Sequence, residues 1–273
     1  MKKFIMAVGA HADDIELNVG GTLLKYRDKG YGVVYVMATN NMSGGWSKIQ
    51  PDGSVKVESH GTVVMMRQRK LEAAKGAALL GTVPVHLDHP QRHYNGDERT
   101  NNTVCWGRDC AELRYGSPLP EGVSADVPTI VTAHEDGRAC GVLADLILKH
   151  DPEWILTHGL VQRDIEHMGT ALLVLKSYRR AVSTGYKGGL LFWVEGHRYL
   201  GATNIKWDIY VDITEYIEKK IDLISVHECQ VPFPRKPGFS PRVVSEMNGK
   251  AAGCGAAEVY VIVSKGKGVI PLS

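Results

Sequence analysis

Little in this chain favours one sign of charge: 32 Lys and Arg stand against 30 Asp and Glu, a formal net charge of +2 over 273 residues. Such a balance offers no electrostatic footprint for nucleic acid. Cysteine is scarce and odd in number, Cys105, Cys110, Cys140, Cys229 and Cys254 without paired spacing, which argues against a disulfide framework and predicts reduced thiols. No apolar run approaches the length of a membrane span. Phe4 to Ala10 is too short for a signal-peptide core, because His11-Ala12-Asp13-Asp14 follows at once. These absences predict a cytoplasmic protein that engages neither nucleic acid nor membrane. No internal repeat or low-complexity linker marks a boundary, so residues 1–273 are read as one domain.

What is present is an alternation of β-branched or apolar segments with longer helical patterns, which predicts an α/β fold: a Rossmann-like, mostly parallel sheet flanked by helices. Strands are expected at Phe4 to Gly9, Tyr31 to Ala38, Val83 to Leu87, Trp154 to Thr157, Leu190 to Val194, Ile209 to Val211 and Glu258 to Val263. Helices are expected at Glu16 to Lys29, Val63 to Leu80, Glu135 to His150, His167 to Val182 and Thr214 to about Val226, with Gly30 and Gly81 as stops. Residues 39 to 61 read as a loop rich in Asn, Gly and Ser. The stretch from His89 to about Pro128 carries little periodicity, and irregular segments of that length usually serve function or hold small inserted elements.

In an open α/β sheet, ligands bind beyond the carboxyl ends of the strands. The first strand runs straight into one imidazole and two adjacent carboxylates, His11, Asp13 and Asp14. Charge gathered at a sheet end is costly unless a cation offsets it. Zinc accepts His nitrogen and Asp oxygen and keeps a position open in catalytic sites. Two adjacent carboxylates cannot easily both face one ion, so one would ligate and the other act as a base. Helix capping by Asp13 and Asp14 explains the same pattern, and spacing alone leaves both readings open.

Ala10-His11-Ala12-Asp13-Asp14-Ile15-Glu16, followed by Gly20-Gly21-Thr22, resembles the Pro-His-Pro-Asp-Asp-x-Glu…Gly-Gly-Thr opening of the LmbE-like, or PIG-L, family of zinc-dependent N-acetylglucosaminyl deacetylases, with both prolines replaced by alanine. Further likenesses follow in order. Thr39-Asn40-Asn41 resembles a Thr-x-Gly loop, with Asn41 in place of Gly. Arg69-x-x-Glu72 resembles the family's Arg-x-x-Glu helix, Lys220, His227 and Gln230 a late Lys…His-x-x-Gln pattern, and Ala257-Glu258 a C-terminal Ala-Glu. The resemblance implies one zinc ion per chain on His11, Asp14 and His167, with Asp13 as general base. It implies hydrolysis of an N-acetyl or other N-acyl group from a small-molecule amino sugar or glycoside. Arg69, Asn41 and His227 are then candidates for substrate contact. Either a single chain or a homo-oligomer is compatible with this reading.

His167 corresponds to the last residue of the family's His-x-Asp-His motif, and the same segment departs from that motif. Asp164 stands where the family has a His that stabilises or protonates the tetrahedral intermediate, and Glu166 replaces the intervening Asp. An anionic Asp164 cannot stabilise an oxyanion as an imidazolium does. Either Asp164 is held protonated, or His158, Arg69 or His227 takes over, in that order. The departure keeps alive a non-catalytic zinc-stabilised carbohydrate-binding protein, and a changed pocket keeps alive another amide such as a thiol conjugate. His86, His89 and His93 lack acidic or cysteine partners at matching intervals; His89, Arg92 or His93 is expected to border the pocket, and Cys105 and Cys110 to be buried thiols.

Overall fold

The computed structural model describes residues 2–42, 44–58, 60, 62–91, 124, 126–161, 164–195, 207–236 and 238–266. Its frame is a seven-stranded sheet built from β1 (Phe4–Gly9), β2 (Gly32–Thr39), β5 (Pro84–His89), β6 (Trp154–His158), β7 (Gly189–Trp193), β8 (Ile209–Asp212) and β9 (Ala257–Ser264), in the order β5-β2-β1-β6-β7-β9-β8. The first five in that order pair in parallel, and β9 runs antiparallel to both β7 and β8. Among the described residues, six α-helices surround the sheet: α1 (Asp14–Asp28), α2 (Thr62–Leu79), α3 (Gly137–His150), α4 (Ile165–Ser183), α5 (Ile217–Ile224) and α6 (Ser240–Ala252).

The strand sequences dictate two covered faces. Along β1, Ile5 and Ala7 join the core shared with α1, α2 and α5, whereas Met6 and Val8 join the core shared with α3 and α4. In β2, Val33, Tyr35 and Met37 take the first face, and Val34, Val36 and Ala38 the second. Strands buried on both sides read as continuous apolar runs, which is what a parallel sheet between two helical layers requires. Gly81 ends α2 at φ +73°, a conformation that costs other residues more. Gly21, inside α1, leaves room for Ile213, whose atoms would lie 2.7 to 3.0 Å from an added Cβ.

Two elements depart from expectation. Within the loop predicted over 39 to 61, β3 (Trp46–Ile49) and β4 (Val55–Glu58) form an antiparallel hairpin closed by Gly53 at φ +80°. The helix α6 had no predicted counterpart, although Pro241 in its first turn and Gly253 just past its end are start and stop signals. Its apolar residues are too few to show a clear stripe in sequence. Arg92, His93, Cys105 and Cys110 lie outside the described residues, so the expectations placed on them stay as sequence readings.

Candidate metal centre and active site

The chain order reverses at β1: β2 and β5 extend the sheet on one side, β6 and β7 on the other. At such a switch point the loops leaving adjacent strands part and open a crevice. His11 to Asp14 leave β1 there, and His158 ends β6 beside them. His167 comes from the first turns of α4, the helix that follows β6. All of these side chains are nearly or fully buried.

The hydrogen bonds assign the tautomers of the imidazoles. His11 Nε2 lies 2.6 Å from Glu166 Oε2, which places its proton there and leaves a lone pair on Nδ1. His167 Nδ1 lies 3.1 Å from both Glu195 oxygens, which leaves the lone pair on Nε2. These two lone-pair nitrogens are 3.2 Å apart. Asp14 Oδ1 is 3.3 Å from His167 Nε2, and Asp14 Oδ2 is 3.4 Å from His11 Nδ1. Lone pairs facing one another in a buried site repel unless a proton or a metal cation lies among them. Two imidazole nitrogens and a carboxylate oxygen, all within 4.8 Å of one another, form a set that fits zinc.

The same field shifts the acids and bases of the site. Burial would lower the His11 imidazole, yet the Asp14 and Glu166 carboxylates push it up to about 9, so without a cation a second proton occupies Nδ1 at neutral pH and a metal ion would take that proton's place. His167 moves well above its ordinary range, again against burial, through Asp14 and Glu195. Burial would raise the Asp14 and Glu195 carboxyls, but the neighbouring imidazoles hold both well below the usual range.

Asp13 occupies the N-cap position of α1 without capping it: its side chain accepts no helix amide, and its backbone sits at φ +107°. Asp14 Oδ2 accepts the backbone N–H of His11 at 2.7 Å. Neither carboxylate therefore makes the helix cap that spacing left open. A non-glycine residue in that region costs on the order of 1–3 kcal/mol and persists where the surroundings hold it, often at functional sites. Arg69, on α2, holds it: Nη2 donates to the Ala12 carbonyl at 2.8 Å and lies 3.6 Å from Asp13 Oδ1. Burial raises the Asp13 carboxyl, Arg69 opposes that rise, and Asp14 adds to it, for a net upward shift.

Asn41, at φ +61°, accepts the Ala12 N–H at 2.7 Å and so braces the loop that carries the carboxylates. Asp164 caps α4, its carboxylate accepting the Glu166 N–H at 2.9 Å. His158 Nε2 accepts the Ala10 N–H at 3.0 Å, and its Nδ1 faces Glu195, so both ring nitrogens are committed. His227 is fully buried with Nε2 3.1 Å from Glu16 Oε1, and burial, which would lower its imidazole, is outweighed by Glu16 and Asp13. His89 gives Nδ1 to the Pro128 carbonyl, and among the described residues neither His86 nor His89 belongs to a metal-binding group.

Glu195 was not singled out from the sequence, nor was Gln91, whose amide donates to Glu166 Oε2 at 2.9 Å. A signal existed for Glu195: it follows the apolar strand Leu190-Leu191-Phe192-Trp193 at its carboxyl end. The late motifs frame the site from behind. Glu72 accepts the backbone N–H of Cys229 at 3.0 Å and its thiol at 2.9 Å, tying α2 to the His227–Gln230 segment. Glu258 accepts the N–H groups of Gly21 and Thr22 in α1 and pairs with Lys220.

The family model described as PIG-L, GlcNAc-PI de-N-acetylase, matches residues 6–178. A diacetylchitobiose deacetylase of Thermococcus kodakarensis is 24% identical over 235 residues, covering 84% of this chain and 71% of that protein. Among solved structures, the 4-carboxy-2-hydroxymuconate hydratase GalB of Pseudomonas putida superposes with a TM-score of 0.66 at 18% identity, covering 100% of both chains. The N,N'-diacetylchitobiose deacetylase of Pyrococcus horikoshii gives 0.61 at 18% identity, covering 96% of this chain and 84% of that one. Both superpositions reproduce the mostly parallel sheet flanked by helices.

Proposed function

This chain belongs to the PIG-L family, and from that premise we propose that it removes an N-acetyl group from an amino sugar or a glycoside carrying one, using one zinc ion per chain. The fold alone does not choose this chemistry, since a hydratase shares it. The observation that carries the reading is the inward convergence of His11 Nδ1, His167 Nε2 and the Asp14 carboxylate, beside an Asp13 that caps nothing.

Bound there, zinc would polarise the amide carbonyl and acidify the attacking water. The chain's own residues do the rest. Asp13 accepts the proton of that water and returns it to the departing amine nitrogen, which is a poor leaving group until protonated. Arg69 keeps the Asp13 carboxylate aimed through its contacts to Ala12 and Asp13, and Asn41 fixes the same loop from β2. Of the groups considered for the oxyanion in place of Asp164, His158 is committed to Ala10 and Glu195, which leaves Arg69, beside Asp13, and His227, whose ring nitrogens make no hydrogen bond although Nε2 lies 3.1 Å from Glu16, as the two candidates for that role.

The acetylated chitobiose named for the two archaeal relatives makes N-acetylglucosamine saccharides the first substrates to test. Cys140, Cys229 and Cys254 are free thiols, and no described helix is long and apolar enough to cross a membrane; both features support a cytoplasmic setting.

The test is zinc content and acetate release from a panel of N-acetylated sugars and other amides, for wild type, Asp13→Ala and His167→Ala. Turnover on acetylated sugars that vanishes in Asp13→Ala while zinc is retained supports the reading. Full zinc occupancy in His167→Ala overturns the three-ligand site. One equivalent of zinc with no amide cleaved points instead to a carbohydrate-binding protein.

A further inference from the structure

We propose that Glu195 is a positioning residue of the metal centre, one carboxylate that fixes the tautomer of His167 and anchors it to the wall formed by His158 and Trp193. This rests on the metal site argued above. Glu195 lies just beyond β7, and the pairing of β6 with β7 sets His158 opposite Trp193. Two residues past Trp193, the Glu195 carboxylate lies on the face that carries His158, within hydrogen-bond reach of both rings. The rings of His158 and Trp193 meet edge to face, with centroids 4.5 Å apart, and close that side against water.

Three donors converge on the carboxylate: His158 Nδ1, His167 Nδ1 and Trp193 Nε1, the last at 3.2 Å. The first is fixed by the backbone. The Ala10 N–H at the end of β1 donates to His158 Nε2, so the His158 proton sits on Nδ1 and points at Glu195. Glu195 then accepts from His167 Nδ1 as well, and the lone pair of His167 must lie on Nε2, toward His11 and Asp14. A neutral side chain of the same shape cannot do this. All three donors reach Oε1, but His167 Nδ1 also lies 3.1 Å from Oε2, so the NH2 group of a glutamine would face the His167 N–H and turn that ring away or move its proton.

His158, His167 and Glu195 also lie close enough together to be taken for a metal-binding group of their own. The Ala10 N–H argues against that, because it occupies the nitrogen of His158 not already facing Glu195. The geometry therefore gives Glu195 the outer place in a carboxylate–imidazole–metal chain, matching Glu166 behind His11. Loss of such an outer partner typically weakens metal binding about 10- to 100-fold.

The experiment measures Zn2+ affinity by chelator competition for metal-stripped wild type, Glu195→Gln, Glu195→Asp and His11→Ala, with the visible spectrum of the Co2+-loaded proteins and the melting temperature of the stripped ones. The expected result is a 10- to 100-fold weaker Zn2+ affinity and an altered Co2+ spectrum in Glu195→Gln, with stripped melting close to wild type. Glu195→Asp, which keeps the charge, should recover part of the affinity. Wild-type affinity and spectrum in Glu195→Gln overturn the proposal, as does a His11→Ala protein that still binds one Zn2+ at full strength, which would place the ion on the His158 side. If Glu195→Gln does not fold, Glu195→Asp carries the comparison: its Co2+ spectrum must then differ from wild type. Failure of the deacetylase reading shows separately, as wild type that binds Zn2+ but releases no acetate.

Discussion

Replacing Lys220 with Met should destabilise the protein by about 3–5 kcal/mol, the usual cost of leaving one member of a buried ion pair alone. Lys220, on α5, and Glu258, on β9, are 2% and 3% exposed, and Nζ lies 2.7 Å from Oε1. The two carboxylate oxygens also accept the N–H groups of Gly21 and Thr22 at 3.0 and 2.8 Å. Removing the ammonium leaves a buried anion held only by neutral donors, so the lower half of the range is the better expectation. At roughly 2–4 °C per kcal/mol for a domain of this size, the melting temperature should fall by about 6–16 °C. The assay is thermal and denaturant unfolding of metal-stripped protein, so that ligand binding does not mask the change. Adding Glu258→Gln to Lys220→Met should restore part of the loss, because the unpaired charge is gone while an acceptor remains. A Lys220→Met protein that melts within about 2 °C of wild type would refute the claim that this pair is desolvated.

Gly21→Ala should destabilise by about 1–2 kcal/mol in denaturant unfolding. The helix-propensity gain of about 1 kcal/mol is smaller than the overpacking against Ile213, whose Cβ itself lies 3.0 Å from the new methyl group and cannot rotate away. Gly20→Ala, whose methyl meets the tip of Leu223 at 3.0 Å and Lys220 Cγ in ordinary contact at 3.6 Å, should be neutral or stabilising. Asp164→Asn keeps the cap of α4 and should retain acetate release within about threefold, whereas Asp164→Ala should cost about 1 kcal/mol of stability. A hundredfold loss in Asp164→Asn would show that the carboxyl takes part in the chemistry. Zinc at 100 times its dissociation constant should stabilise wild type by about 2.7 kcal/mol, seen as a thermal shift of roughly 5–11 °C that His167→Ala abolishes.

Most of the frame was legible because its signals are local. The apolar runs of β1, β2, β6 and β7 match strands covered on both faces, and the helices between them keep their stops at Gly30 and Gly81. The β3–β4 hairpin was hidden because its strands are four residues each and partly polar, and their pairing is with each other rather than with the main sheet. The helix α6 was hidden because only Pro241, Ser245 and Gly249 are buried along it, a stripe too narrow and too polar to read as amphipathic. In the site, His11, Asp13 and Asp14 form one contiguous signature. Glu195 escaped notice because a lone Glu after a strand looks like any solvated loop residue.

By itself the sequence determined that one strand must deliver an imidazole and two carboxylates to the end of a parallel sheet, since neighbours in the chain cannot separate. It also placed His167 at the start of a later helix. Only the tertiary structure decided which nitrogen of each ring faces inward, that Asp13 and Asp14 leave the helix amides uncapped, and that Asp164 caps α4 while Glu195 holds His158 and His167. Those choices are made by contacts such as His11 with His167, 156 residues apart, and Ala10 with His158, 148 apart. A proton's position on an imidazole depends on whatever donor or acceptor the fold brings to the other side of the ring, and no local pattern encodes that.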